Sequence, residues 1–149
     1  MIVAALALAG IFLAVYLLLY KLGMIGELTC SVGSCETVNT SKWATFLGLP
    51  VAGWGVAFYA AVFVLSMAST HERYADSLQA SVVLLVVLAT GLVFSIYLTW
   101  LELFVIRAIC QWCVVSAILV LCMFILAILD YRELNMQAGT TADDTATPA

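Results

Sequence analysis

Cysteine is the residue type in this chain best suited to chemistry. The 149 residues include five cysteines and a single histidine, His71. Four of the cysteines form two pairs. Cys110-Gln111-Trp112-Cys113 is a C-x-x-C motif, and Cys30 and Cys35 close a C-x4-C stretch with the flexible Gly33 between them. The i, i+3 spacing places the sulfurs of Cys110 and Cys113 on one face of a helix. A helix N-terminus favours a thiolate, so a helix starting at this motif makes Cys110 a good attacking or leaving group. Two dithiols that meet form a relay for thiol–disulfide exchange. The same spacings fit a four-cysteine zinc site or a pair of structural disulfides. Cys122, nine residues past Cys113, is expected on the opposite helix face as a small apolar packing residue. His71 reads as a solvated loop residue. With one histidine, His-ligated metal centres and histidine-assisted hydrolysis are disfavoured, and the redox reading needs no metal.

The elements that position these cysteines are membrane helices. Hydrophobic types make up 66% of the chain and charged types 9%. A soluble domain is about half apolar and a quarter charged. That contrast excludes an ordinary cytosolic enzyme, a nucleic-acid binder and a disordered segment. Four stretches reach the roughly 20 apolar residues that a bilayer-spanning helix needs, at about 1–20, 50–69, 77–101 and 108–129. In lipid the backbone must satisfy its own hydrogen bonds, so the fold class is an all-α bundle of four transmembrane helices. The first span lacks a basic leader, and its apolar run is longer than that of a cleaved signal, so it is read as a retained helix. Glycines such as Gly53 and Gly55 are read as close helix contacts.

The remainder of the chain is small. Residues 21–49 form the one long loop, about 29 residues, long for a plain connector. Within it, 36–47 is expected to form a short helix lying on the membrane, with Trp43 and Phe46 facing the interface. Gly48 suits the end of that helix, and Pro50 the first turn of the second span. Short links are expected around 71–76 and 102–107. Residues 1–134 form the membrane domain, and 135–149 read as a disordered acidic tail. From Asp130 onward the chain carries a net −3 of the total −4, so the net charge is largely a tail effect. Lys and Arg divide almost evenly between the two faces, and the positive-inside rule sets no orientation.

Counting crossings gives more. Cys30 and Cys35 follow span one, spans two and three go across and back, and Cys110 and Cys113 open span four. All four thiols therefore reach the same membrane face. A dithiol relay also needs an electron acceptor. No G-x-G-x-x-G or P-loop sequence is present to bind a nucleotide. A lipid-soluble quinone can enter laterally, and exported dithiol systems are known to drain into quinone. The Cys113 face continues through Ser116, Ala117 and Val120 as one wall of a pocket or as plain helix packing.

The ordered set of motifs resembles the vitamin K epoxide reductase family, in particular its bacterial members. The resemblance covers about 1–134. It rests on Cys30, then Cys35 followed by Glu36-Thr37-Val38-Asn39-Thr40-Ser41-Lys42-Trp43, then Gly48-Leu49-Pro50 and Trp54-Gly55. Tyr97-Leu98-Thr99-Trp100-Leu101-Glu102 leading into Cys110-Gln111-Trp112-Cys113 completes it. A second family of four-helix disulfide oxidases has its C-x-x-C in the first exported loop, the reverse of the order here. The resemblance implies a four-helix bundle around a quinone (menaquinone or ubiquinone), covered by the loop helix. It implies that Cys113 lies next to the quinone, that Cys110 exchanges with Cys35, and that Ser41 lies near the quinone ring. It further implies that Cys30 and Cys35 take electrons from an exported thioredoxin-like (DsbA-type) protein at a bacterial inner membrane. No fused thioredoxin-like domain is expected, so that partner is a separate protein. Animal members carry an asparagine in the second span and a tyrosine seven residues after the first cysteine of the C-x-x-C. Val51 and Ala117 stand at those positions of the pocket. This favours simple quinone reduction over vitamin K epoxide reduction, the alternative activity; a zinc-stabilised scaffold is the alternative outside enzymology.

Overall fold

The computed structural model describes residues 1–26, 30, 34–69 and 78–146, with side chains through 137. Its helices are α1 (Ile2–Lys21), α2 (Cys35–Thr40), α3 (Val51–Ser69), α4 (Leu78–Trp100) and α5 (Gln111–Ala146). Among the described residues, four stretches are helical, long and apolar enough to cross a membrane: Ile2–Lys21, Val51–Ser69, Leu78–Ile106 and Gln111–Gln137. The protein is an all-α, multi-pass membrane bundle. The expected positions of Gly33, His71 and the 71–76 link lie outside the described residues.

Helix α1 packs on α3 and α5, and α4 packs on α5 and α3, so each long helix has two neighbours. Lipid tails are as apolar as leucine, so association depends on close packing. Helix α1 answers with a buried stripe of mostly small residues, Ala4, Ala7, Gly10, Ala14 and Leu17. Gly55 of α3 sits against it; a Cβ there would lie 3.5 Å from the Ala14 Cβ. Gly10 is tighter still, because a Cβ there would overlap the Tyr59 ring. Tyr59, Val62, Leu84, Leu88, Val120 and Met123 complete the centre of the bundle. Large apolar side chains such as Phe12, Val64, Val93 and Ile125 face outward, where a bilayer solvates them.

The cap over the bundle differs from the expected single helix over 36–47. Helix α2 ends at Thr40, Ser41 is extended, and Lys42–Ala44 form one 3₁₀ turn. A two-residue hairpin follows, with β1 (Thr45–Phe46) paired antiparallel to β2 (Leu49–Pro50). Its turn is Leu47-Gly48, both at positive φ, 52° and 80°. Gly48 therefore serves a hairpin turn rather than a helix end, since a turn with two left-handed positions matches strand twist. Pro50 sits immediately before α3, in β2. The Trp54 indole N–H donates to the Phe46 carbonyl at 3.2 Å, and the Phe46 ring meets Phe94 of α4 edge-on. These contacts tie the hairpin to α3 and α4.

Two further differences concern helix ends, and a third concerns a side chain. The expected link at 102–107 is mostly helical: α4 runs on as a wide π-helical turn, Leu101–Ile106. Arg107, left-handed at φ 54°, stops it, and the Ala108 N–H returns to the Glu102 carbonyl at 3.1 Å. The segment stays helical because every residue in it except Glu102 is apolar. Helix α5 continues to Ala146, across most of the stretch expected to be a disordered tail. Leu134, Met136, Gln137 and Ala138 are good helix formers, with only Gly139 strongly opposed. Cys122 is exposed on the outside of the bundle rather than packed within it. The buried stripe of α5 runs through Val120, Met123 and Ala127, and Cys122 lies off it.

Candidate redox site

The site is built where the C-x-x-C begins α5. Cys110 immediately precedes the helix, and its carbonyl accepts the Val114 N–H at 3.1 Å, the first intrahelical bond. Cys113 is one turn in, facing back toward Cys110. Both are free thiols, Cys110 fully buried and Cys113 partly so.

Cys30 and Cys35 are joined in a disulfide, with Cα atoms 6.3 Å apart. Cys35 opens α2 and is buried at 1% exposure. The loop docks on the segment before Cys110 through the Ser34 N–H, which donates to the Ile109 carbonyl at 3.0 Å. Cys35, Val38 and Cys110 form one buried cluster, with Cys30, Cys113 and Trp112 packed against it. The four cysteines that lie far apart in sequence are thus assembled at one end of the bundle. Helix α2 is held over them by one bond from α1 and braced internally by another. The Asn39 side-chain amide donates to the Cys35 carbonyl at 3.2 Å, and the Lys21 ammonium donates to the Asn39 carbonyl at 2.6 Å. Trp112 is braced from α1 by an edge-on contact with Tyr16.

The Cys110 thiol is held below the ordinary cysteine value. Its hydrogen bond with the Cys113 thiol is the main cause, opposed by burial and by the charge of Glu102. Glu102 is the residue that the sequence reading missed. It is 4% exposed, and its Oε2 accepts the backbone N–H of Cys110 at 3.1 Å. Its carboxyl group lines the same cavity as Cys113. Glu102 is the one charged residue between Asp76 and Arg107, and an isolated charge in an intramembrane run is itself a functional signal.

Below the cysteines lies a cavity of about 370 Å³, within the range of small-ligand pockets. Its walls are mostly apolar. Cys113, Glu102 and Ser116 line it from the C-terminal half of the chain, Ser41 and Asn39 from the cap, and Val51 and Tyr59 from α3. Ala117 does not line it, because one residue beyond Ser116 turns about 100° around the helix. The Ser41 hydroxyl donates to the Val38 carbonyl at 2.7 Å, so it must rotate before it can donate to a ligand. Tyr59 was also missed by the sequence reading. Its hydroxyl pairs with Ser116 Oγ at 2.7 Å and reaches the Ser116 carbonyl at 3.2 Å. A tyrosine inside an apolar span gives little warning, since it reads equally well as packing.

An apolar cavity with a thiol and a few polar groups on its wall suits a flat, oxygen-bearing ring on a lipid-soluble body. A zinc site fits less well, since Cys30 and Cys35 hold each other in a disulfide and offer no thiolates.

Fold and site together define a multi-pass membrane protein with two cysteine pairs beside an apolar cavity. Residues 1–128 match the vitamin K epoxide reductase family, and the chain belongs to that family. Members of the family are oxidoreductases and use quinones.

Proposed function

We propose that the protein is a quinone-dependent thiol–disulfide oxidoreductase that supports disulfide formation in exported proteins. The observation that carries this reading is the contiguity of the two cysteine pairs with the cavity that Cys113 lines. An exported thioredoxin-like protein gives its two thiols to the Cys30–Cys35 disulfide and leaves with a disulfide of its own. The freed Cys35 thiolate attacks Cys110 of the oxidised C-x-x-C pair, forming a Cys35–Cys110 bond and releasing Cys113 as thiolate. Cys30 then attacks Cys35, which restores the Cys30–Cys35 disulfide and leaves Cys110 and Cys113 as thiols. The pairing in the structure, an outer disulfide and two inner thiols, matches that point of the cycle. A quinone in the cavity supplies an acceptor for two electrons and two protons. Ser41, Val51, Tyr59 and Ser116 would hold it, with Cys113 as the donor thiol. On this reading the active site faces the exported side of a bacterial inner membrane.

The test is anaerobic mixing of purified protein with a reduced thioredoxin-like protein and either menaquinone or ubiquinone, following quinol absorbance. Wild type should form quinol, while Cys35→Ala and Cys113→Ala should fall to background. Partner oxidation at the wild-type rate by either variant would defeat the relay. Multiple-turnover thiol–disulfide exchange that does not depend on added quinone would favour electron flow in the opposite direction, out to an exported protein.

A further inference from the structure

We infer that Glu102 is the proton carrier of the inner cysteine pair, taking the proton of Cys113 and releasing it into the cavity. The inference rests on the quinone reading above and goes beyond it, because the relay as drawn assigns the protons to no residue.

Closing the Cys110–Cys113 disulfide breaks two S–H bonds, forms one S–S bond, and releases two electrons and two protons. In the proposed activity a quinone takes both and leaves as quinol. The electrons have a direct path, since Cys113 lines the cavity. The protons need a base inside an apolar bundle. Lysines, tyrosines and acids are scarce there, and the geometry selects among them. The Lys21 ammonium shares the cavity, but it is a donor engaged with the Asn39 carbonyl. The Tyr59 hydroxyl shares it too, but is paired with Ser116. Arg107 and Glu36 are exposed outside the cavity. Among the described residues, Glu102 is the one acid that lines the cavity with Cys113, and it is anchored to the C-x-x-C pair through the Cys110 N–H.

The local backbone supports the assignment. The wide turn Leu101–Ile106 surrounds Glu102, and turns of this type often occur at functional sites. The Cys110 N–H fixes one carboxylate oxygen, so the group is aimed before reaction starts. After taking the Cys113 proton, the carboxylic acid becomes a donor at the cavity wall. It passes that proton to the reduced acceptor, takes the Cys110 proton in turn and passes it on, so both protons reach the quinol and Glu102 ends as the carboxylate it began as. A buried charge with no turnover role would be costly to keep in a membrane helix.

The experiment uses full-length protein in nanodiscs and three readouts. The first is single-turnover quinol formation by the pre-reduced protein. The second, without quinone, is reduction of the oxidised protein by a thioredoxin-like dithiol, read by mass-tagging the thiols. The third, also without quinone, is the pH dependence of Cys110 alkylation. Glu102→Gln should slow quinol formation about 100-fold, the size expected for losing one positioned acid–base group. It should leave dithiol exchange within about twofold of wild type, far from the loss in quinol formation. It should also move Cys110 alkylation to lower pH, because a negative neighbour is gone. Glu102→Asp should recover part of the quinol rate. Equal loss in both half-reactions would overturn the inference, reducing Glu102 to a support for the loop before α5. A wild-type quinol rate in Glu102→Gln would also overturn it while sparing the quinone reading. Absence of quinol with the wild-type protein would instead remove the quinone reading, and this inference with it.

Discussion

Gly10→Ala should disturb the cavity through Tyr59, which lines it. Gly10 belongs to the buried stripe of α1, and the Tyr59 ring occupies the space where a Cβ would stand. The overlap is with ring carbons of a side chain that is itself 2% exposed, so the ring can yield only toward the cavity it lines. Two costs follow. Overpacking a dense core by one methyl costs about 1–3 kcal/mol. Moving the ring also breaks the 2.7 Å bond between the Tyr59 hydroxyl and Ser116, worth about 1 kcal/mol. The variant should therefore be about 2–4 kcal/mol less stable than wild type. Titration with a denaturing detergent in mixed micelles, followed by circular dichroism, measures this. A double-mutant cycle isolates the cause. Tyr59→Phe alone should lose only the hydrogen-bond part. Gly10→Ala combined with Tyr59→Ala should cost less than the two single changes added together, because the methyl then enters space the ring has left. A Gly10→Ala protein as stable as wild type, or strict additivity in the cycle, would show that α1 and α3 are not packed as described.

Two other predictions concern the cysteines. Alkylation of Cys110 should saturate at a lower pH than for an ordinary cysteine, because the Cys113 thiol stabilises its thiolate; with that bond removed, burial dominates. Cys113→Ala should thus move the alkylation profile to higher pH, and an unchanged or downward shift would count against the Cys110–Cys113 contact. Cys122, exposed on the bundle exterior, should react with a lipid-soluble maleimide in intact membranes and tolerate Cys122→Ala within about 0.5 kcal/mol, as surface changes usually do. Resistance to that reagent, or a loss well beyond this figure, would place it inside the bundle.

Much of the fold was legible because a bilayer leaves few choices. A chain 66% hydrophobic with four long apolar runs can bury its backbone in lipid only as helices. Crossing arithmetic then carries Cys30, Cys35, Cys110 and Cys113 to one face without any knowledge of side-chain contacts. The spacing of Cys110 and Cys113 likewise fixes their shared helix face, and the structure packs Cys113 against the buried cluster that holds Cys110. The cap was less legible. Periodicity over 36–47 is compatible with one helix, but Ser41 is extended and Leu47-Gly48 turns a hairpin. Short segments of this kind are decided by what they rest on, here Trp54 and Phe94, rather than by their own propensities.

The sequence by itself determined the membrane habit, the four crossings and the meeting of two dithiols on one side. These depend on composition, length and local spacing, which are properties of the chain alone. Tertiary structure decided which polar groups join them. Ser116 turns to the cavity and its neighbour Ala117 does not. Tyr59 reaches across from α3 to Ser116, and Cys122 faces outward although it shares a helix with Cys113. Above all, it brought Glu102 from an expected link into a buried position against Cys110, on the wall of the cavity that Cys113 lines. A hydrogen bond spanning eight residues depends on the angle at which a helix ends, and that angle is set by packing and one wide turn.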